Sequence, residues 1–136
     1  MLLKKLLVVI IIFSSFFLSA CIYKRGIILF NKEPITEQNA LKDSKTFYSG
    51  SRIYYLFIAP EEMENEFIRV QIFKMIDNAP WGGNEVVRTK DYRLMKNERY
   101  YHTDYFILYE KGRYVMQIFS HDDFQHPLAL NDFYVQ

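Results

Sequence analysis

The sequence predicts an all-β protein: a single antiparallel β-sandwich, with a small β-barrel as the alternative architecture. Three observations carry this prediction. From Thr46 onward, apolar residues recur with a period of two, in roughly seven runs separated by polar turns. Aromatic residues make up 18% of the 136-residue chain, with 11 Tyr and 12 Phe, while Gly and Pro number only 5 and 4. Residues of this kind favour strands and bury large areas, which lets a small domain build a core. No stretch of the body sustains the 3.6-residue period of an amphipathic helix, and no repeat or low-complexity segment is present.

The first 21 residues form a unit of their own. Residues 1–5 carry Lys4 and Lys5 and no acid, and residues 6–17 form an apolar run of 12. That run is shorter than the roughly 20 residues a membrane-spanning helix needs, and small residues follow it, as in a secretory signal. Leu18-Ser19-Ala20-Cys21 closes the segment and holds the chain's single cysteine. This motif resembles the lipobox of bacterial lipoproteins. The resemblance implies cleavage before Cys21, a diacylglyceryl group on its thiol and acylation of the new amino terminus. Two or three acyl chains make a durable anchor at ~0.8 kcal/mol per buried methylene, whereas one binds marginally. The expected address is the bacterial cell envelope. Ile22 stands where an aspartate would, by resemblance, favour inner-membrane retention, so the outer membrane is the expected site in a Gram-negative host.

Cleavage would remove Lys4 and Lys5 from the 17 basic residues, leaving 15 against 16 acidic ones. A near-neutral chain without basic runs is not expected to bind nucleic acid. With Cys21 lipidated, neither disulfides nor cysteine-rich zinc sites are available.

The expected organisation is a signal peptide (residues 1–20), a lipidated segment (21–45) and a sandwich domain (46–136). Within 21–45, the apolar run 27–30 is a possible first strand, and 33–43 reads as a short helix or a loop. Residues 52–59 (Arg-Ile-Tyr-Tyr-Leu-Phe-Ile-Ala) are apolar throughout, as in a central strand. Residues 60–65 interrupt with acid and a proline. Residues 66–74 then alternate, with Ile68, Val70 and Ile72 on one face and Phe67, Arg69, Gln71 and Phe73 on the other. These two runs are expected to pair antiparallel. Residues 77–84 form the strongest loop signal and contain the single tryptophan, Trp81. Strands are expected over 85–95, 99–110 and 128–135, with a turn at 96–98.

Glu110-Lys111-Gly112-Arg113-Tyr114-Val115-Met116 is the most informative stretch of the body. It resembles the acid-x-Gly-x-Tyr-x-Cys entry into strand F of immunoglobulin-like domains, with Met116 in the cysteine's place. The resemblance implies an immunoglobulin- or fibronectin-like sandwich in which the Tyr114 hydroxyl bonds back to the upstream corner. The absent cysteine pair and strand tryptophan set it apart from antibody domains. Ser49-Gly50-Ser51-Arg52-x-Tyr54 resembles the serine-glycine loop of membrane-bound lysozyme inhibitors, whose cysteines are also missing here.

Few residues suggest chemistry. His121, Asp122, Asp123 and His126 bring two imidazoles and two carboxylates into one loop, a donor set that suits zinc or another divalent ion. A polar inter-strand loop explains the same residues. His102 and Asp104 lie two apart on a strand and share a face, with no nucleophile beside them. The sequence contains none of the phosphate-loop, nucleophile-elbow or zinc-protease motifs. No enzymatic activity and no cofactor are expected.

The face opposite the core is less polar than a solvated sheet face. Three explanations compete: cover by residues 21–45, an interface with a partner or another copy of the chain, or scattered exposed aromatics. Trp81 and the Phe67, Arg69, Phe73 face are the candidate partner-binding residues. The expected function is a lipid-anchored, non-enzymatic envelope protein binding a protein or glycan partner, with a homo-oligomer as an open alternative. The alternatives are an accessory subunit of an envelope assembly and a small metal-dependent enzyme using the His121/His126 loop.

Overall fold

A computed structural model describes residues 24–76 and 83–136. Its strands, in chain order, are β1 (Ile27–Asn31), β2 (Thr46–Phe47), β3 (Arg52–Ile58), β4 (Phe67–Ile76), β5 (Gly83–Arg93), β6 (Tyr101–Ile107), β7 (Gly112–Ser120) and β8 (Ala129–Val135). They form a three-stranded sheet, β1-β3-β6, and a five-stranded sheet, β2-β8-β7-β4-β5. The two sheets do not close on each other, so the architecture is a sandwich and not a barrel. The short β2 runs parallel to β8, while the other ladders are antiparallel. Among the described residues, no helix is long and apolar enough to cross a membrane.

The period-two pattern places the core. Ile53, Tyr55 and Phe57 of β3 and Ile28 and Phe30 of β1 face Ile68, Val70 and Ile72 of β4 and Tyr114, Met116 and Ile118 of β7, and all are buried. Phe133 of β8 sits where the sheets meet. Its ring lies 4.8 Å from Phe30 and 5.5 Å from Phe106, both in the three-stranded sheet, and stacks at 5.5 Å on Tyr114 of its own sheet.

The corner before β7 forms as the motif implies. Gly112 has φ +153°, a conformation that L side chains rarely adopt, so glycine serves the backbone here. The Tyr114 hydroxyl donates to the Glu110 carbonyl at 2.5 Å. Met116 occupies the cysteine position as a fully buried side chain.

Two expectations are corrected. Residues 52–59 and 66–74 do not pair. β3 is bonded along both edges, by β1 and β6, and the connection after β3 carries the chain to the other sheet. The apolar faces of β3 and β4 therefore meet across the core instead of side by side. The sandwich also begins at β1 and not at residue 46, because Ile27–Asn31 pairs with β3. Residues 33–43 form turns, not a helix. Asn39 holds them, accepting from the Thr36 N–H at 2.7 Å and donating to the Pro34 carbonyl at 2.9 Å.

The sheet edges are guarded. On the outer side of β1, the Phe30 N–H donates to the Asp43 carboxylate at 3.1 Å, and its carbonyl accepts from the Ser44 N–H at 2.8 Å. On the opposite side of the sandwich, β5 and β6 turn Lys90, Tyr92, His102 and Asp104 inward. Inward polar groups of this kind discourage strand addition at a free edge.

Replacing Tyr114 by Phe removes the corner hydrogen bond and little else. Urea denaturation is expected to show a loss of about 1 kcal/mol with an unchanged m-value.

Candidate functional site

The outer face of the five-stranded sheet brings together part of the predicted partner-binding set. Phe67, which is 38% exposed, packs beside His121 with ring centroids 5.7 Å apart. Arg69 stands opposite Asp91 of β5 and donates to its two carboxylate oxygens through Nε and Nη2, at 2.8 and 3.1 Å. The same guanidinium lies 4.5 Å from the Phe124 ring centroid. Phe124 in turn contacts His121 and Phe119, so the loop after β7 folds over this end of the face. Phe119 points outward yet is buried under that loop. Phe73 lies further along β4, opposite Val115 and Val86, and is half-buried. Phe67 and Arg69 thus form one patch, with Phe73 at its margin. The Arg69 hydrogen bonds, followed by His121, hold the Asp91 carboxyl below its usual range.

Trp81 and Cys21 lie outside the described residues. β4 and β5 pair to their tips, Ile76 with Gly83.

The histidine loop does not converge on a metal site. His121 Nε2 is directed toward Asp91, at 3.3 Å. Asp122 accepts from Asn65 at 2.6 Å. Asp123 caps its own turn, accepting from the Gln125 and His126 N–H groups, and its second oxygen meets His126 Nδ1 at 2.9 Å. These bonds depress the Asp123 carboxyl, that from Gln125 most. Among the described residues, no group of three or more His, Cys, Asp or Glu side chains is placed to hold an ion.

His102 and Asp104 do share a face, as expected, and it is the inner one. His102 is buried, with Nε2 3.2 Å from the Tyr55 hydroxyl and Nδ1 3.4 Å from Glu98. The Tyr92 ring covers the imidazole at 4.4 Å, and its hydroxyl donates to Asp104 at 2.5 Å. Lys90 reaches the same carboxylate at 3.4 Å. Burial pushes both tyrosine hydroxyls up and the imidazole down. Burial also works to raise the Asp104 carboxyl, but the bonds from Tyr92, the backbone and Lys90 outweigh it and hold it low. The arrangement is a satisfied polar chain that ties β5 to β6 across the open side of the sandwich.

The outer face of the three-stranded sheet is a second surface that the sequence signalled only through the two-sided apolar run of β3. Its cross-strand rows are Ile27, Ile58 and Tyr101; Leu29, Leu56 and Thr103; then Asn31, Tyr54 and Tyr105. The turn after β1 folds against the Asn31 end of this face, where buried Asn31 donates to the Asn39 carbonyl at 3.2 Å, while Ile27, Tyr101 and Tyr105 stay exposed.

No family model and no curated protein matches this sequence. Among solved structures, an immunoglobulin-like protein from Pseudomonas aeruginosa superposes with a TM-score of 0.51 at 12% identity, over 85% of this chain and 99% of its own. The fold is immunoglobulin-like. The soluble domain of PmoD from Methylocystis sp. gives 0.48 at 10% identity, over 84% of this chain and 93% of that one. A superoxide reductase (neelaredoxin) from Ignicoccus hospitalis gives 0.46 at 8%, over 82% and 80%. At such identities the likeness concerns the fold alone, and an immunoglobulin-like sandwich by itself names no activity.

The buried imidazole predicts a pH dependence. Burial holds His102 below its ordinary 6.5 in the folded chain. As the pH falls below about 6.5, the unfolded chain takes up a proton that the folded chain resists, so this contribution to stability is complete above that pH and declines beneath it. Thermal unfolding between about pH 7 and pH 5 should show a falling midpoint. His102→Gln is expected to flatten that slope while lowering the midpoint at neutral pH.

Proposed function

We propose that this protein is a lipid-anchored, non-enzymatic component of the bacterial cell envelope, whose immunoglobulin-like domain binds a protein or glycan partner. Cys21 in Leu18-Ser19-Ala20-Cys21 is the anchor. The observation that carries the binding reading is the preorganised patch on the five-stranded sheet. There Phe67 and Phe124 remain partly exposed around an Arg69 already held by Asp91. Aromatic and arginine side chains with little freedom left to lose are suited to interface anchors.

The polar residues that might have served catalysis have structural partners instead. His102 is bonded to Tyr55 and Glu98, Asp104 to Tyr92, and Asp123 to its own turn. That distribution favours a binding module over an enzyme. A surface anchor also concentrates the domain against anything else held at the same membrane.

The test is crosslinked affinity capture of the full-length protein from native membranes, beside Cys21→Ala, Phe67→Glu and Trp81→Ala variants. A partner retained by the wild type and lost with Phe67→Glu, while the variant's unfolding midpoint is unchanged, is the expected result. Equal capture by Phe67→Glu would remove the patch from the reading. Capture of nothing by any variant would favour a self-assembling structural subunit.

A further inference from the structure

We propose that the outer face of the three-stranded sheet rests against the lipid bilayer, so that the domain lies on its side on the membrane. The inference rests on the reading of Cys21 as a lipid anchor.

The face has the composition of a membrane–water interface. Ile27, Leu29 and Ile58 occupy one end around a buried Leu56, and Tyr54, Tyr101 and Tyr105 stand among and beyond them. Ile27, Tyr101 and Tyr105 are 54%, 47% and 41% exposed, so no described residue already covers them. Aliphatic groups with tyrosine are what a bilayer's interfacial zone accepts, the ring entering apolar surroundings while the hydroxyl stays wet.

Charge separates this face from the other. Among the described residues, the outward positions of its three strands carry no carboxylate and a single ionic side chain, Arg52, whose guanidinium lies 4.9 Å from the Tyr105 ring centroid. Lys24 and Arg25 directly precede Ile27. The opposite face, on the five-stranded sheet, displays Asp91 and Asp132 beside Arg69 and Arg113. Lys24 shares its hollow with Glu61, Glu62 and Glu64 of the loop after β3, so the match to the bilayer lies in the apolar, tyrosine-bearing face itself and not in a cationic rim.

Tether geometry brings the face to the membrane. Cys21 precedes Ile27 by six residues, and an extended chain of that length spans at most about 21 Å. The Ile27, Ile58, Tyr101 row therefore cannot leave the neighbourhood of the acyl chains. Close by, Gly26 fixes where the chain enters. Its N–H donates to the Leu128 carbonyl at 2.7 Å, and a Cβ there would meet the Ile58 carbonyl oxygen at 2.3 Å.

A second copy of the chain is the rival occupant. Pairing this face with itself would enclose two Arg52 guanidiniums where neither copy offers a carboxylate, and an unpaired charge is costly to desolvate. A lipid phosphate supplies the missing anion at the wet margin. The bilayer is thus the better match.

The experiment uses the full-length, lipidated protein in vesicles of phosphatidylethanolamine and phosphatidylglycerol. Single reporter cysteines at Leu29→Cys, Tyr105→Cys and, on the opposite face, Gln117→Cys receive a nitroxide, Cys21 being blocked by its acyl chain. Positions 29 and 105 are expected to lose accessibility to a water-soluble nickel complex and gain it to oxygen, relative to 117. Equal nickel accessibility at all three positions would overturn the inference. So would protection at 29 and 105 that persists in detergent and brings spin–spin broadening, which would mark a second copy instead. Mass spectrometry of the amino-terminal peptide separates the two readings. A Cys21 peptide without lipid mass would overturn the anchor and this inference together, whereas a lipidated peptide with water-exposed labels would overturn the inference alone.

Discussion

The packing around Phe133 is the contact on which both sheets depend. Its ring reaches Phe30 and Phe106 in the three-stranded sheet and rests on Tyr114 and Phe47 in its own. The chain holds a single cysteine, so no disulfide within it can clamp the sheets together. An aromatic cluster is the available substitute, because each ring removes a large area from water and meets its neighbours in tilted or stacked geometries. Tyr114 couples that cluster to the corner, since the ring under Phe133 carries the hydroxyl bonded to Glu110. The turn and the core are thus held by one side chain.

With the centre closed by aromatics, the open side between β5 and β6 needs a different solution. A sandwich side left bare exposes unpaired strand edges. Here Tyr55, His102, Tyr92, Asp104 and Lys90 fill the gap with groups that satisfy one another. A buried chain of this kind is expensive only when a member lacks a partner. Of these, the sequence singled out only the His102 and Asp104 pair, and the bonds both make explain their place in the fold.

The outward faces divide the remaining chemistry. The five-stranded sheet shows a mixed surface of arginine–carboxylate pairs with partly exposed phenylalanines, which a partner of defined shape can recognise. The three-stranded sheet shows aliphatic side chains and tyrosine without acid. A domain tethered near Ile27 can lay the second face on lipid and turn the first toward the compartment beyond. Location, orientation and binding would then follow from a single attachment point and the ordinary alternation of strands.

Much of this was readable in the chain itself. Period-two alternation determined which residues of β4 and β7 face inward, and Gly112 with Tyr114 determined the corner, because both depend only on local backbone geometry. The unbroken apolar run of β3 correctly marked a strand with neighbours on both sides. Alternation says which way a side chain points and nothing about which strand lies alongside. The pairing of β3 with β1 and β6, and the passage of the next strand into the opposite sheet, were therefore decided only in three dimensions. The inclusion of β1 belongs with them, since five residues become a strand only where a free edge receives them. So does the fate of the histidine loop. Its four polar residues lie within six positions, but the turn directs His121 toward Asp91 and Asp122 toward Asn65, while Asp123 and His126 bond each other within the loop.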